Sequence, residues 1–251
     1  MLNPREIYNL LLDASQVDHS VKEIVIGLTW TMCQSDAIGL AMSPGIPNRT
    51  LPWSGTLVNQ PLTNLTPWLR SWDIYEATVG MAAVNAAINS QSTLICQATP
   101  ITTNKSANLA VFDHFLPQIR GKKVVVIGRY PRLAQYEAEM EITVIERQPT
   151  GNDLPDPACE YYLPDADWVF LTATSIVNKT FPRLVELAQD AQLVLIGPTL
   201  PWLPELAQMG INYLAGVRVT NPDALRQTVA EGGGVRIFET GVQYCVLELI
   251  L

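Results

Sequence analysis

The spacing of apolar positions along this chain changes near residue 105. Before that point helical spacing leads. Asn3-Pro4-Arg5-Glu6 has the form of an N-cap, a first-turn proline and an acid, and it predicts a helix whose face carries Ile7, Leu10, Leu11 and Ala14. Val21–Cys33 is rich in β-branched and aromatic residues and predicts one strand. Ala37–Met42 is its expected antiparallel partner, across the polar turn Gln34-Ser35-Asp36. Pro44–Pro61, with four prolines, predicts a loop, and Leu65–Ser71 a short helix. Asp73-Ile74-Tyr75-Glu76 is a second capping box that opens a long helix to about Ser90. Ile74, Ala77, Met81, Val84 and Ile88 form its stripe, and glycine and alanine make its other faces small. A helix apolar all round is buried on several sides. Asn85 and Asn89, four apart on one face of it, therefore need partners.

Beyond residue 105 strands and helices alternate. Strands are expected at Val124–Ile127, Ile142–Ile145, Trp168–Thr172, Leu193–Ile196 and Ile211–Leu214. Helices are expected near Asn108–Arg120, Arg132–Glu139, Phe181–Gln189, Pro204–Met209 and Pro222–Glu231. Alternation of this kind, with wholly apolar strands such as VVVI and LVLI, predicts a parallel sheet covered on both faces. Val235–Leu251 is expected to add edge strands. The fold class is α/β, with a smaller α+β part at residues 1–105 and a parallel-sheet part at residues 106–251.

Ligands of open parallel sheets sit beyond the carboxyl ends of the strands. That rule selects Gly128-Arg129-Tyr130, Glu146, Thr172, Thr174, Ser175 with Asn178, and Gly197-Pro198-Thr199 as candidate ligand-binding residues, with Asn85 facing them from the first part. Glu146 follows Gly128 by eighteen residues. An acid about 20 residues beyond a glycine turn reads a ribose hydroxyl in dinucleotide sites. The phosphate cradle is missing, because Arg129, Tyr130, Pro131 and Arg132 stand where further glycines would be. Each candidate also has a plainer role. Gly128 serves any tight turn, Glu146 can pair with Arg147 or Arg129, and Thr, Ser and Asn cap helices, here one expected near Lys179.

Composition narrows the partners. A chain of 251 residues, 48% hydrophobic, can bury a large core, and its net charge of −8 opposes nucleic-acid binding. No apolar run approaches the ~20 residues of a membrane span. Met1–Ser20 is charged and amphipathic, which predicts no signal peptide. Cys33, Cys96, Cys159 and Cys245 lie far apart, as reduced thiols of a cytoplasmic protein do. The histidines, His19 and His114, and the cysteines form no CxxC or HxxxH pair, so no metal held by protein side chains alone is expected. With so few histidines no general base is assigned. The expected partner is a small-molecule ligand, and a homo-oligomer is left open.

Ser71–Asn89 (SWDIYEATVGMAAVNAAIN), VVVIGRYP, Val144–Phe181 and Leu193–Val219 resemble the proteins called the putative heavy-metal chelation family. The resemblance covers nearly the whole chain. It implies an enolase-N-terminal-like domain followed by a Rossmann-like domain, with the site between them. Many members carry His in the first glycine turn, where this chain has Arg129-Tyr130, so the turn is not expected to supply a metal ligand. The implied function is binding of a small polar or metal-chelating molecule in the interdomain cleft, with its processing left open and any metal arriving on a small-molecule chelator. The alternative is a transferase or oxidoreductase that uses S-adenosylmethionine or a nucleotide, with Glu146 on the ribose and Gly128 beneath the methionine or phosphate portion.

Overall fold

The computed structural model describes residues 3–250; Met1, Leu2 and Leu251, at the ends of the two expected parts, lie outside the described residues. Three strands, β1 (Glu23–Ile26), β2 (Trp30–Gln34) and β3 (Ile38–Met42), form an antiparallel meander in that order. The larger sheet is built from β4 (Thr99–Pro100), β5 (Lys123–Ile127), β6 (Glu141–Ile145), β7 (Trp168–Thr172), β8 (Gln192–Ile196), β9 (Tyr213–Val219) and β10 (Val242–Glu248). Its order is β4-β10-β9-β8-β7-β5-β6. The run from β6 to β9 is parallel, while β10 lies antiparallel between β9 and β4.

Side chains of the parallel strands alternate between two cores. Val124, Val126, Phe170, Val194 and Ile196 enter one, which also holds Phe112 and Phe115 of the Ala110–Ile119 helix. Val125, Ile127, Val169, Leu171, Leu193 and Leu195 enter the other, with the long Ile74–Gln91 helix and the Phe181–Leu187 helix. The meander feeds both: Trp30, Met32, Ile38 and Leu40 go to the first core, Cys33 and Ala41 to the second. Both sheets therefore stand on shared apolar ground.

The long helix starts as its sequence predicts, with the Asp73 carboxylate accepting the N–H groups of Tyr75 and Glu76 at 2.9 and 3.0 Å. Its small residues let β3 press backbone against backbone. A Cβ on Gly39 would lie 2.1 Å from the Ala82 carbonyl oxygen. The two asparagines face the open edge of β3. Asn85 Nδ2 donates to the Leu40 carbonyl at 2.8 Å, and Asn89 Nδ2 to that of Ile38 at 2.9 Å. Side chains thus seal an edge that would otherwise present unpaired backbone groups.

Several elements differ from expectation, each for a local reason. Val21–Cys33 is a hairpin, not one strand, because Gly27 turns the chain where the Pro222–Ala230 helix comes close; a Cβ there would lie 2.2 Å from the Val229 carbonyl oxygen. The first helix begins at Glu6, since Asn3 Oδ1 accepts the Arg5 N–H and makes a turn instead of a cap. Leu65–Ser71 divides into a helical turn at Leu62–Leu65 and a 3-10 turn at Thr66–Arg70. Leu133–Tyr136 and Pro204–Met209 are also 3-10 segments. β9 runs on to Val219 through Gly216, which is bare because Trp202 packs over it. Val235–Leu251 contributes a short helix, Ile237–Thr240, and an interior strand in place of edge strands.

Candidate functional site

A cavity of about 670 Å³ opens at the carboxyl ends of β5 to β8, beneath Thr29, Trp30 and Met42 of the meander. That volume lies in the ~300–1,000 Å³ range of small-molecule sites. Its wall includes Gly128, Arg129 and Tyr130 after β5 and Glu146 after β6. Thr172, Thr174, Ser175 and Asn178 come from the end of β7 and its loop, and Gly197, Pro198 and Thr199 follow β8. Asn85 is a correction: it does not line the cavity but stands behind it, buried, with Nδ2 on the carbonyls of Leu40 and Thr199. Its Nδ2 joins β3 to the loop after β8, while its Oδ1 is buried with no hydrogen-bond partner among the described residues.

The turns after β5 and β8 are tight because Gly128 and Gly197 adopt φ values of +98° and +111°. Only glycine does this without steric strain. A Cβ on Gly128 would lie 3.2 Å from the Thr172 methyl, and one on Gly197 3.6 Å from the Tyr130 hydroxyl. The Tyr130 hydroxyl end is enclosed beside Thr172, and burial holds its proton well above the ordinary tyrosine range. Tyr244, from β10, is held protonated in the same way, with Tyr130 as a neighbour.

Most polar tips already have partners. Glu146 does not pair with a guanidinium; its Oε2 accepts the Arg129 backbone N–H at 2.9 Å and its Oε1 that of Gln148 at 3.3 Å. The Arg129 guanidinium pairs with Asp153, that of Arg147 with Asp156 at 3.0 Å, and that of Arg183 with Glu160 and Glu186. Thr199 Oγ1 accepts the Met42 N–H at 2.9 Å, so it completes the seal on β3. Asn178 forms a turn ahead of a helix and does not cap it: its Oδ1 accepts from Thr180 N–H and Oγ1, and the helix begins at Phe181, not Lys179, without a side-chain cap. Ser175 Oγ and Asn108 Oδ1, both in the wall, are buried without a hydrogen-bond partner among the described residues. Lys179 lies outside the wall, where its Nζ donates to the carbonyls of Leu69 and Val177 at 2.6 and 3.0 Å, and burial pulls its pKa down to about 8.

Trp30, Asn108, Arg183, Leu187, Phe238 and Tyr244 also line the cavity and were not among the expected residues. They come from the meander, from helices and from β10, not from strand tips, and no local pattern marks them.

The donor set does not fit a metal ion held by protein side chains. Among the described residues no group of three or more His, Cys, Asp and Glu could hold one. Cys159 lines the cavity, but burial and the nearby Asp156 carboxylate push its thiol up to about 11, away from the thiolate that soft metals take.

These features define a two-part α/β protein with a ligand-sized hollow at the strand tips. The chain belongs to the family described as "Putative heavy-metal chelation": two family models with that description match residues 8–88 and 110–248. An uncharacterised protein of Methanocaldococcus jannaschii is 30% identical over 173 residues, which span 66% of this chain and 63% of that relative. The crystal structure of a protein of unknown function of the DUF364 family from Desulfitobacterium hafniense superposes with a TM-score of 0.86, at 30% identity, over 97% of this chain and 98% of that one. A second, from Pyrococcus horikoshii, gives a TM-score of 0.79 at 23% identity over 98% and 99% of the two chains, a likeness of fold. No helix among the described residues is long and apolar enough to cross a membrane.

Proposed function

We propose that this chain binds a small polar or metal-chelating molecule in the cavity between its two parts. One observation carries the reading: the tips of four neighbouring parallel strands and the meander above them wall a single hollow of about 670 Å³. Because the side chains of the described residues offer no metal cage, a heavy metal would enter as the cargo of an organic chelator, and the cavity would grip the organic part. Native mass spectrometry of freshly purified protein, with metal analysis, tests this. The expected result is an adduct of small-molecule mass, with or without metal, that is lost on denaturation. A clean mass of the bare chain from several preparations would count against it.

A second reading, an enzyme that uses S-adenosylmethionine, draws support from Glu146 and Gly128 at adjacent strand tips. It predicts thermal stabilisation by adenosyl compounds, worth about 2.7 kcal/mol at 100 times the dissociation constant. No shift with S-adenosylmethionine or adenosine would remove it.

A further inference from the structure

The cavity wall is of two kinds, and the division follows the two faces of the large sheet. Ile127, Ile145, Cys159 and Leu184 belong to one core, with Leu187 packed against it. Trp30 and Tyr244 belong to the opposite core, with Tyr130 and Phe238 packed against it. All of them line the same hollow. The hollow therefore straddles the carboxyl edge of the sheet, aliphatic on one side and aromatic on the other. The aromatic planes are fixed by their neighbours: Phe238 stacks on Tyr244 at 4.7 Å, and Tyr130 meets Phe112 edge-on at 5.3 Å. The passage between the sides runs over the tips of β5, β7 and β8. There Gly128 and Gly197 carry no side chain, and any Cβ added would narrow it against Thr172 or the Tyr130 hydroxyl.

Each side rewards a different shape. Fixed aromatic faces stack flat rings, whereas branched aliphatic walls close around saturated groups.

Resting on the ligand-cavity reading above, we propose that the cavity is two-chambered and takes a molecule with two unlike ends. A flat ring sits against Trp30, Tyr130 and Phe238. A saturated or branched group sits against Ile145, Leu184 and Leu187. A slim polar link crosses above Gly128 and Gly197.

The test uses the full chain, labelled at Ile, Leu and Met methyl groups and with fluorotryptophan, and two probes, indole and cyclohexanol. Indole is expected to move the Met42 methyl and Trp30 signals and to leave Leu184 and Leu187 unmoved. Cyclohexanol is expected to do the reverse, and saturation with one should not displace the other. Leu187→Trp, which fills the aliphatic chamber, should weaken cyclohexanol by about tenfold, or about 1.4 kcal/mol, and indole by no more than about twofold. Val235→Trp, at the half-exposed rim beside Trp30, should do the opposite. Competition between the probes, shared reporters, or equal weakening of both by either variant would overturn the two-chamber arrangement and leave the single-cavity reading standing. Silence of every lining signal toward both probes would overturn both.

Discussion

The seam between β3 and β8 and the rim beyond β5 and β6 both rest on polar side chains, to opposite ends. At the seam Asn85, Asn89 and Thr199 bond the Leu40 and Ile38 carbonyls and the Met42 N–H on the outer edge of β3, with Asn85 and Thr199 buried. At the rim Arg129, Asp153, Arg183 and Glu160 meet in partly or largely exposed ion pairs. A buried group that loses its partner suffers full desolvation, whereas an exposed pair that opens regains water and is screened by salt. The seam therefore sets the shape of the molecule. The rim can exchange its contacts for those of a ligand at little cost.

The sharpest way to break this contrast is Asn85→Leu, which strands the Leu40 and Thr199 carbonyls. It should lower stability by about 3 kcal/mol in urea denaturation, and a loss below about 1 kcal/mol would mean that the seam is no firmer than the rim. Thr199→Val removes the acceptor of the Met42 N–H and should cost about 1–2 kcal/mol by the same measurement.

Lys179, whose half-buried Nζ ties the segment after β7 to the Thr66–Arg70 turn, gives a prediction with a pH signature. Its folded pKa of about 8 lies below the unfolded value of 10.5. Between the two the unfolded chain holds a proton that the folded chain has released, so this group makes stability rise with pH across that window. Below the window both states are protonated and the burial penalty is fully present. After discounting for partial exposure the rise should be about 1 kcal/mol, and Lys179→Met should abolish it. Denaturation series of both proteins on either side of the window would show it, and parallel curves would sink the assignment. The smallest effect belongs to the rim. Arg129→Gln should cost no more than about 1 kcal/mol and less as salt is raised, and a salt-independent loss would move Arg129 to the seam class.

What could be read from the sequence was whatever is local. The Asp73 cap and the apolar runs VVVI and LVLI mark their elements within a few residues, and the rule for parallel sheets then points to Gly128, Glu146, Thr172 and Gly197. Burial of Asn85 was legible from the small residues around it, but a buried amide signals that it needs partners without saying which. Leu40 lies on the meander and Thr199 in the loop after β8 of the larger sheet. Trp30, Phe238 and Tyr244 gave no signal, because their place in the wall is made by pairing and packing between segments far apart in the chain. Gly27 and Gly216 look alike in sequence, each a glycine in a β-rich run. One turns the chain and the other lets Trp202 press on a continuing strand.

The position of β10 has a consequence for biogenesis. It is inserted between β9 and β4, segments made well before it, and it brings Tyr244 to the aromatic wall. A growing polypeptide that has reached residue 219 already owns every parallel strand, yet it still carries a naked flank on β9 and an unfinished chamber. The hollow is thus among the last features to be completed, and a chain halted before residue 248 would expose that flank to other strands.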